Sequence, residues 1–527
     1  MPVSDDTDLT LPSILASATG QRFQRRLGLT IIFHPDTSRI GETAVLPTLS
    51  AGEAPWILGR RSPAFERGGE LVAGSLDEPH VSRQALALVA DGEGVLLRRL
   101  PASSRCRVAG RELEGEIALT EAQLHQGVPL LLGHAVVLLL RFTRQGRPDT
   151  APPVRDHGMC GSSRYMAQLR EHIEQVAVSD LDVLIRGETG TGKELVAAAI
   201  HRASARASGP MVSVNMTAIP QGLAAASLFG SARGAFTGAH KASDGYFTQA
   251  EGGSLFLDEI GDTPPELQPQ LLRALQQREI QLVGGPVRRA DVRIISATDA
   301  DIEAEGCGFR AALKHRLGGC EICLAPLRDH PEDIGELTLH FLRTYREETG
   351  TGLELPTQQS GGRELAAWGD LFYRFLCYRW PGNVRQLGNF VGQVVVASTR
   401  GLAVPDSVDS ALRETGAYGH RQVADLEGIG ERRRIHQIDD EELDRVLEAS
   451  AFEVARTARR LGVSRQAVYR RIEASPRHRL AEQVPLAELQ RIMAARRGDV
   501  VATARDLRVS VSGLRARLRA AASASQG

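Results

Sequence analysis

Residues Gly187 to Glu194 read GETGTGKE, directly after the apolar run LDVLI and at the start of a helix-like pattern. Glycines in such a loop let backbone N–H groups turn inward around phosphate oxygens. The following helix adds the positive end of its dipole, and Lys193 adds a full charge for the outer phosphates. Gly187, Glu188, Thr189, Gly190, Thr191, Gly192, Lys193 and Glu194 are therefore the candidate nucleotide-binding residues. Glu194 stands where many such loops carry Ser or Thr, so metal coordination must lean on other residues. A second motif, SLFLDEIGD, follows. Its apolar strand delivers Asp258 and Glu259 to the C-terminal sheet edge, where ligands sit in open α/β folds. Asp258 is the candidate magnesium ligand, and Glu259 the residue to orient and polarise an attacking water.

The elements needed to hold these groups are legible. LDVLIRG, MVSVN, SLFLDEI and VRIISAT read as buried strands with helical patterns such as PELQPQLLRALQQRE between them. That alternation predicts a parallel sheet with helices on its faces. A mostly helical stretch follows to about residue 402; 403–438 read as irregular, and everything from 439 as helical. Before the phosphate loop, LGLTIIF, PWILGR, ALALV, GVLLRRL and AVVLLLRF are short apolar or alternating runs separated by Gly, Pro and Asp. Their spacing predicts a β-sandwich.

The whole chain of 527 residues carries 63 basic and 64 acidic side chains, a net charge of −1, so any surface for nucleic acid must be local. It contains no run of about 18 apolar residues and no basic-then-apolar leader, which predicts a cytoplasmic protein without membrane contact. Six cysteines in this length are not a disulfide framework. Cys320 and Cys323 read as two thiols in a strand leading to the Pro326 turn.

GAFTGA occupies Gly234 to Ala239, between the phosphate loop and LDEIGD. Together these motifs resemble the sigma-54-dependent activators, a branch of the AAA+ ATPases, over roughly residues 158–402. The resemblance implies ATP and magnesium as cofactors. It also implies that Gly234, Ala235, Phe236, Thr237, Gly238 and Ala239 form a loop contacting the sigma factor of RNA polymerase. Asn215 matches the residue coupling the catalytic Glu to that loop. Arg310 and Arg316 match arginine fingers that reach a neighbouring subunit's nucleotide, and Arg385 matches a nucleotide-sensing arginine in a helical lid. Fingers acting in trans imply a homo-oligomeric ring, typically a hexamer, with a dimer at rest. Asp299 stands where the family usually has Asn; an ionised acid there must turn away from the γ-phosphate or slow hydrolysis.

Two segments 46 residues apart, EVARTARRLGVSRQAVYRRI from Glu453 and DVVATARDLRVSVSGLRARL from Asp499, each read as helix, turn, helix. The first holds six arginines and one acid, suited to phosphate contacts. It resembles the Fis-type end of the same activators and makes Ser464, Arg465, Gln466, Tyr469 and Arg470 the candidate contacts to double-stranded DNA at an enhancer site. The second reads as a further DNA reader or a dimerisation element. At the other end, Gly59-Arg60 and Ser82-Arg83 give the β-sandwich a resemblance to forkhead-associated domains. Arg60, Ser82 and Arg83 are the candidate clamp for a phosphothreonine protein. Ala85, Ser104 and Ala109 depart from that pattern. The expected organisation is a sandwich over 1–145, a linker over 146–157, and the ATPase over 158–402 with its lid from about 327. A second linker over 403–438 and a helical DNA-binding domain over 439–527 complete it.

Overall fold

The computed structural model describes residues 25–144 and 156–415, apart from 51, 68–69, 236–241, 301, 303–307 and 400. From residue 440 on it describes three helices and scattered further positions. The chain forms two compact units, Met1–Ala417 and Tyr418–Gly527.

The first unit begins with two antiparallel sheets, one of eight strands and one of four. The central pair of the larger sheet is Arg25–Phe33 with Val136–Arg144, running from Arg25 opposite Arg144 to Phe33 opposite Val137. These strands are the runs LGLTIIF and AVVLLLRF, and Leu29, Ile31, Leu138 and Leu140 are fully buried. Burial of that many branched side chains supplies the driving force for the sheet.

The central part of the first unit is a five-stranded parallel sheet in the order Met211–Asn215, Ser254–Asp258, Arg293–Thr298, Val183–Arg186, Cys320–Cys323. Side chains alternate between two cores, as strand pleating requires. Leu184, Leu255, Leu257 and Ile294 join Leu271 and Leu275 of the helix Gln268–Gln277. Val183, Ile185, Phe256 and Ile295 join Val196 and Ile200 of the helix Lys193–Ala203 on the other face. The C-terminal ends of the strands thus carry the phosphate loop, Asp258 and Asp299 to one edge. Cys320 and Cys323 are free thiols on the edge strand.

Four helices follow: Ile334–Thr349, Gly362–Cys377, Asn383–Ala397 and Asp406–Thr415. The last lies in the stretch that the sequence left irregular. Its helix buries Val408 and Leu412, four residues apart, and Asp409 accepts a 2.6 Å hydrogen bond from Arg374. Two buried positions among its described side chains give too weak a periodicity to stand out.

The N-terminal β domain is seated on the lid. Phe33 and Phe372 are buried ring against ring, with centroids 4.8 Å apart. Arg107 reaches Asp370 at 2.7 Å and lies over the Tyr373 ring, whose hydroxyl accepts from the Gly110 backbone at 2.7 Å. Arg141 donates to both carboxylate oxygens of Glu332, at 2.8 and 2.9 Å. Backbones approach closely at two glycines: a Cβ on Gly369 would lie 2.4 Å from the His134 carbonyl oxygen, and one on Gly335 2.4 Å from that of Ile32.

In the second unit the helices Asp440–Ala449 and Leu486–Ala495 lie 46 residues apart at both ends. One core contains Leu443, Leu461 and Val468, the other Leu489, Leu507 and Leu514, each at the same offset. Thr457 and Thr503 are both fully buried. The internal repeat is therefore a repeat of structure.

Candidate active site

The phosphate loop leaves the strand Val183–Arg186 and closes on the helix Lys193–Ala203. Gly190 and Gly192 have φ of +79° and +97°, a region costly for any residue with a Cβ. Thr191 braces the loop by donating from Oγ1 to the Glu188 carbonyl at 2.7 Å. Lys193 is buried, donates from Nζ to the Gly187 carbonyl at 3.0 Å and lies 3.9 Å from the Glu259 carboxylate. An ammonium buried beside phosphate-loop carbonyls suits an anionic ligand on this loop.

Glu259 follows the strand Ser254–Asp258 with φ +53°, an uncommon conformation for a non-glycine residue and frequent at working sites. Asp299 meets it through its backbone N–H, at 3.4 Å from Oε2. Burial pushes the Glu259 carboxyl above the usual range; Lys193 opposes that, while Asp299 and Asp258 add to it. A carboxyl held closer to neutral pH is better matched to taking a proton from water. Asn215 and Asp258 are register partners on adjacent strands. The Asn215 amide reaches Asp258 Oδ2 at 3.4 Å, and its oxygen accepts from the Thr217 N–H and hydroxyl. Asn215 thus meets Asp258 because register makes them neighbours, while Glu259 lies one residue past the ladder.

The donor set fits magnesium. Asp258 offers a hard carboxylate, and among the described residues no cluster of three metal-binding side chains forms a closed cage. Magnesium bound by one carboxylate, with water and phosphate oxygens completing its shell, matches that arrangement.

The lid meets the loop directly. Arg385 donates from its backbone to the Gly190 carbonyl at 3.2 Å, and from Nη1 to Thr189 Oγ1 at 3.4 Å. Two residues earlier, Asn383 is fully buried with φ +51°. Its amide N–H groups go to Glu188 Oε2 at 3.1 Å and the Thr189 carbonyl at 3.0 Å, and its oxygen accepts from the Leu327 N–H at 2.9 Å. Arg328 completes the bracket with two bonds to Glu188, of 2.8 and 2.6 Å. That guanidinium holds the Glu188 carboxyl down at about 2. Neither Asn383 nor Arg328 was anticipated; an Asn two residues before Arg385, in WPGNVRQL, was the available signal.

The finger candidates differ. Arg310 is exposed, and its backbone N–H is fixed by buried Gln268 at 2.8 Å. Arg316 is turned into its own chain, donating to the Leu275 carbonyl at 3.1 and 2.9 Å and lying 3.9 Å from Asp182. Its alignment with the helix Gln268–Gln277 sets that direction. Gly234 and Ala235 are described; Phe236, Thr237, Gly238 and Ala239 lie outside the described residues, as do Ser464, Arg465, Gln466, Tyr469 and Arg470. In the β domain, Arg60 donates from Nε to the Val81 carbonyl at 2.9 Å. Ser82 accepts from the Ser104 N–H at 2.7 Å, and Ser104 Oγ accepts from the Ser82 N–H at 3.2 Å. Arg83 is exposed.

Comparison with known proteins agrees with this geometry. Residues 159–323 match the sigma-54 interaction domain, 328–424 the AAA+ ATPase lid domain, and 434–474 the bacterial regulatory protein, Fis family. The transcriptional regulatory protein ZraR of Klebsiella oxytoca is 39% identical over 325 residues, 61% of this chain and 70% of that protein. The DNA-binding transcriptional regulator NtrC of Proteus hauseri is 41% identical over 282 residues, 52% of this chain and 57% of that one. The solved NtrX of Brucella abortus in complex with ADP is 31% identical, with 60% of this chain and 70% of that one covered and a TM-score of 0.42. With an AAA+ core and lid, a Fis-type DNA-binding segment and these relatives, the chain belongs to the sigma-54-dependent transcriptional activators.

Proposed function

We propose that this cytoplasmic protein hydrolyses ATP in a homo-oligomeric, hexameric ring and uses the turnover to remodel the sigma-54 RNA polymerase complex at a promoter. The observation that carries it is the juxtaposition of Lys193, Asp258 and Glu259 at one sheet edge, with the GAFTGA motif in the same domain. The loop 187–194 binds the phosphates, Glu259 orients water and accepts its proton, and Arg385 couples lid position to the nucleotide. Magnesium held by Asp258 would neutralise phosphate charge. Arg310 acts as the finger to the neighbouring copy. Phe236 and Thr237 touch sigma-54, and the first helix-turn-helix holds the upstream DNA. The N-terminal domain gates this cycle on binding a phosphothreonine protein; its contact with the lid supports that role. Thr237→Ala should abolish transcription activation while sparing ATP hydrolysis, and activation that persists would overturn the mechanism.

A second reading, a DNA-binding regulator without turnover, draws on Asp299. ATP hydrolysis measured across pH separates the two. Glu259 must be ionised to act, so activity should fall on acidification at a higher pH than for an ordinary glutamate. Asp299→Asn removes one charge that raises that pKa and should move the acid limb down. Absence of hydrolysis at every pH and protein concentration favours the second reading.

A further inference from the structure

The Fis-family match ends at residue 474, yet the structure repeats that module after it. We propose that the second copy, residues 484–519, is a second contact for double-stranded DNA, one that grips phosphates without reading bases. It rests on the first copy binding DNA as the family does.

Shape comes first. The two copies bury the same positions, Leu443 with Leu489, Leu461 with Leu507 and Val468 with Leu514. Burial of Thr457 and Thr503 continues the match. A shared set of buried positions at one spacing indicates the same helix packing in both copies.

Charge follows the same register. Exposed Arg505 corresponds to Arg459 and Arg517 to Arg471. In the first copy Arg471 is paired with Asp440 at 2.8 Å. Leu486 stands at the position of Asp440 in the second copy, so Arg517 has no such acid in register, and its Nε is buried without a hydrogen-bond partner. Arg508, at the position of Gly462, binds Asp444 at 3.2 Å and Glu448 at 2.7 Å on the first copy's leading helix. That pairing joins the copies and neutralises two acids that would otherwise repel a phosphate backbone.

Specificity differs between the copies. Arg465, Gln466, Tyr469 and Arg470 correspond by sequence to Val511, Ser512, Arg515 and Ala516. Three of the four long polar or aromatic groups are lost. Phosphate contacts position a protein on DNA, whereas base-edge contacts specify sequence. The second copy therefore adds affinity evenly across sequences.

The test uses the full chain in DNA-binding titrations from about 50 to about 200 mM salt. The probes are a random-sequence duplex and the duplex that the wild type itself selects from a random pool. Each phosphate contact contributes about 0.9 to the slope of log affinity against log salt. Arg505→Gln with Arg515→Gln should flatten that slope by about 1.8, which narrows the affinity loss over this salt range by about tenfold. The effect should be equal on both duplexes and leave their affinity ratio intact. Arg505→Glu alone, at an exposed position outside the buried set, should act in the same direction. Arg465→Ala should instead collapse the ratio. An unchanged slope in both Arg505 variants sinks the proposal. So does affinity lost only because the assembly breaks into smaller species on sedimentation, which would make the second copy a dimerisation element. Wild-type protein without salt-dependent DNA binding would refute the first-copy reading instead.

Discussion

The lid is held on two sides by unlike chemistry. Toward the β domain its centre is apolar, with Phe372 against Phe33 of that domain and backbones close enough that Gly369 and Gly335 have no room for a side chain, while the partly exposed pairs Arg107–Asp370 and Arg141–Glu332 lie around it. Toward the phosphate loop it presents one buried amide, one bidentate ion pair and the backbone of Arg385. Apolar contact cannot open without exposing its area to water, whereas a hydrogen-bonded bracket can exchange its partners for water or for phosphate. The contrast teaches where motion is allowed. We therefore expect the β domain and lid to move as one body, and a bound nucleotide to act on the joint at Glu188, Asn383 and Arg328.

The largest expected effect therefore belongs to the apolar side. Phe372→Ala should destabilise the chain by about 3–5 kcal/mol, the cost of emptying a buried aromatic site, read as a fall in thermal or urea midpoint. Gly369→Leu forces a side chain against the His134 carbonyl and should separate β domain from lid, read as new protease cleavage between them. If either variant keeps wild-type stability and protease resistance, the two domains are not one body. Deleting residues 1–150 is the poorer experiment. It strips the cover from Phe372 and Gly369 and should yield aggregated protein whatever the β domain regulates.

Much of this was legible. Phosphate loop, acid pair and parallel sheet follow from runs whose type and order admit one arrangement, and the offset of 46 residues predicted a repeat that the helices obey. The joint between lid and loop was not legible. Asn383 draws its importance from meeting Glu188, 195 residues away in the chain, and no local pattern encodes such a meeting. The seat for the β domain escaped for a related reason. The apolar residues of Gly362–Cys377 serve two neighbours at once, so the helix looks hydrophobic without revealing a second face to cover. Asn215 was found by motif, but its contact with Asp258 needed the strand register.

On the polar side Asn383 should dominate. Asn383→Ala strands the buried Leu327 N–H, a group costing about 1–3 kcal/mol when left unpaired, and frees the exposed Thr189 carbonyl to water. It also puts Ala at φ +51°, so Asn383→Gly is the cleaner variant, since glycine tolerates that backbone. Both should weaken ADP affinity by about tenfold or more, the equivalent of about 1.4 kcal/mol, with kcat at saturating ATP far less affected. A loss confined to kcat, with affinity intact, would show that the bracket does not set the nucleotide pocket.

The smallest effect belongs to the Glu188–Arg328 pair. Both side chains are more than two-fifths exposed, and pairs of that kind contribute about 0–1 kcal/mol after screening. Its pH dependence has a fixed sign. The Glu188 carboxyl is depressed to about 2 in the folded chain, so its contribution is complete above the ordinary glutamate range and fades as pH falls from there through about 2. Near neutral pH it should be flat. Glu188→Gln should therefore cost little stability at neutral pH, reduce ADP affinity by less than Asn383→Gly does, and do so mainly at low salt. Charge reversal, Glu188→Arg with Arg328→Glu, should recover part of the affinity that each single change loses. Should Glu188→Gln prove as damaging as Asn383→Gly at high salt, Glu188 is acting on the nucleotide itself, and the polar joint is stiffer than its exposed geometry implies.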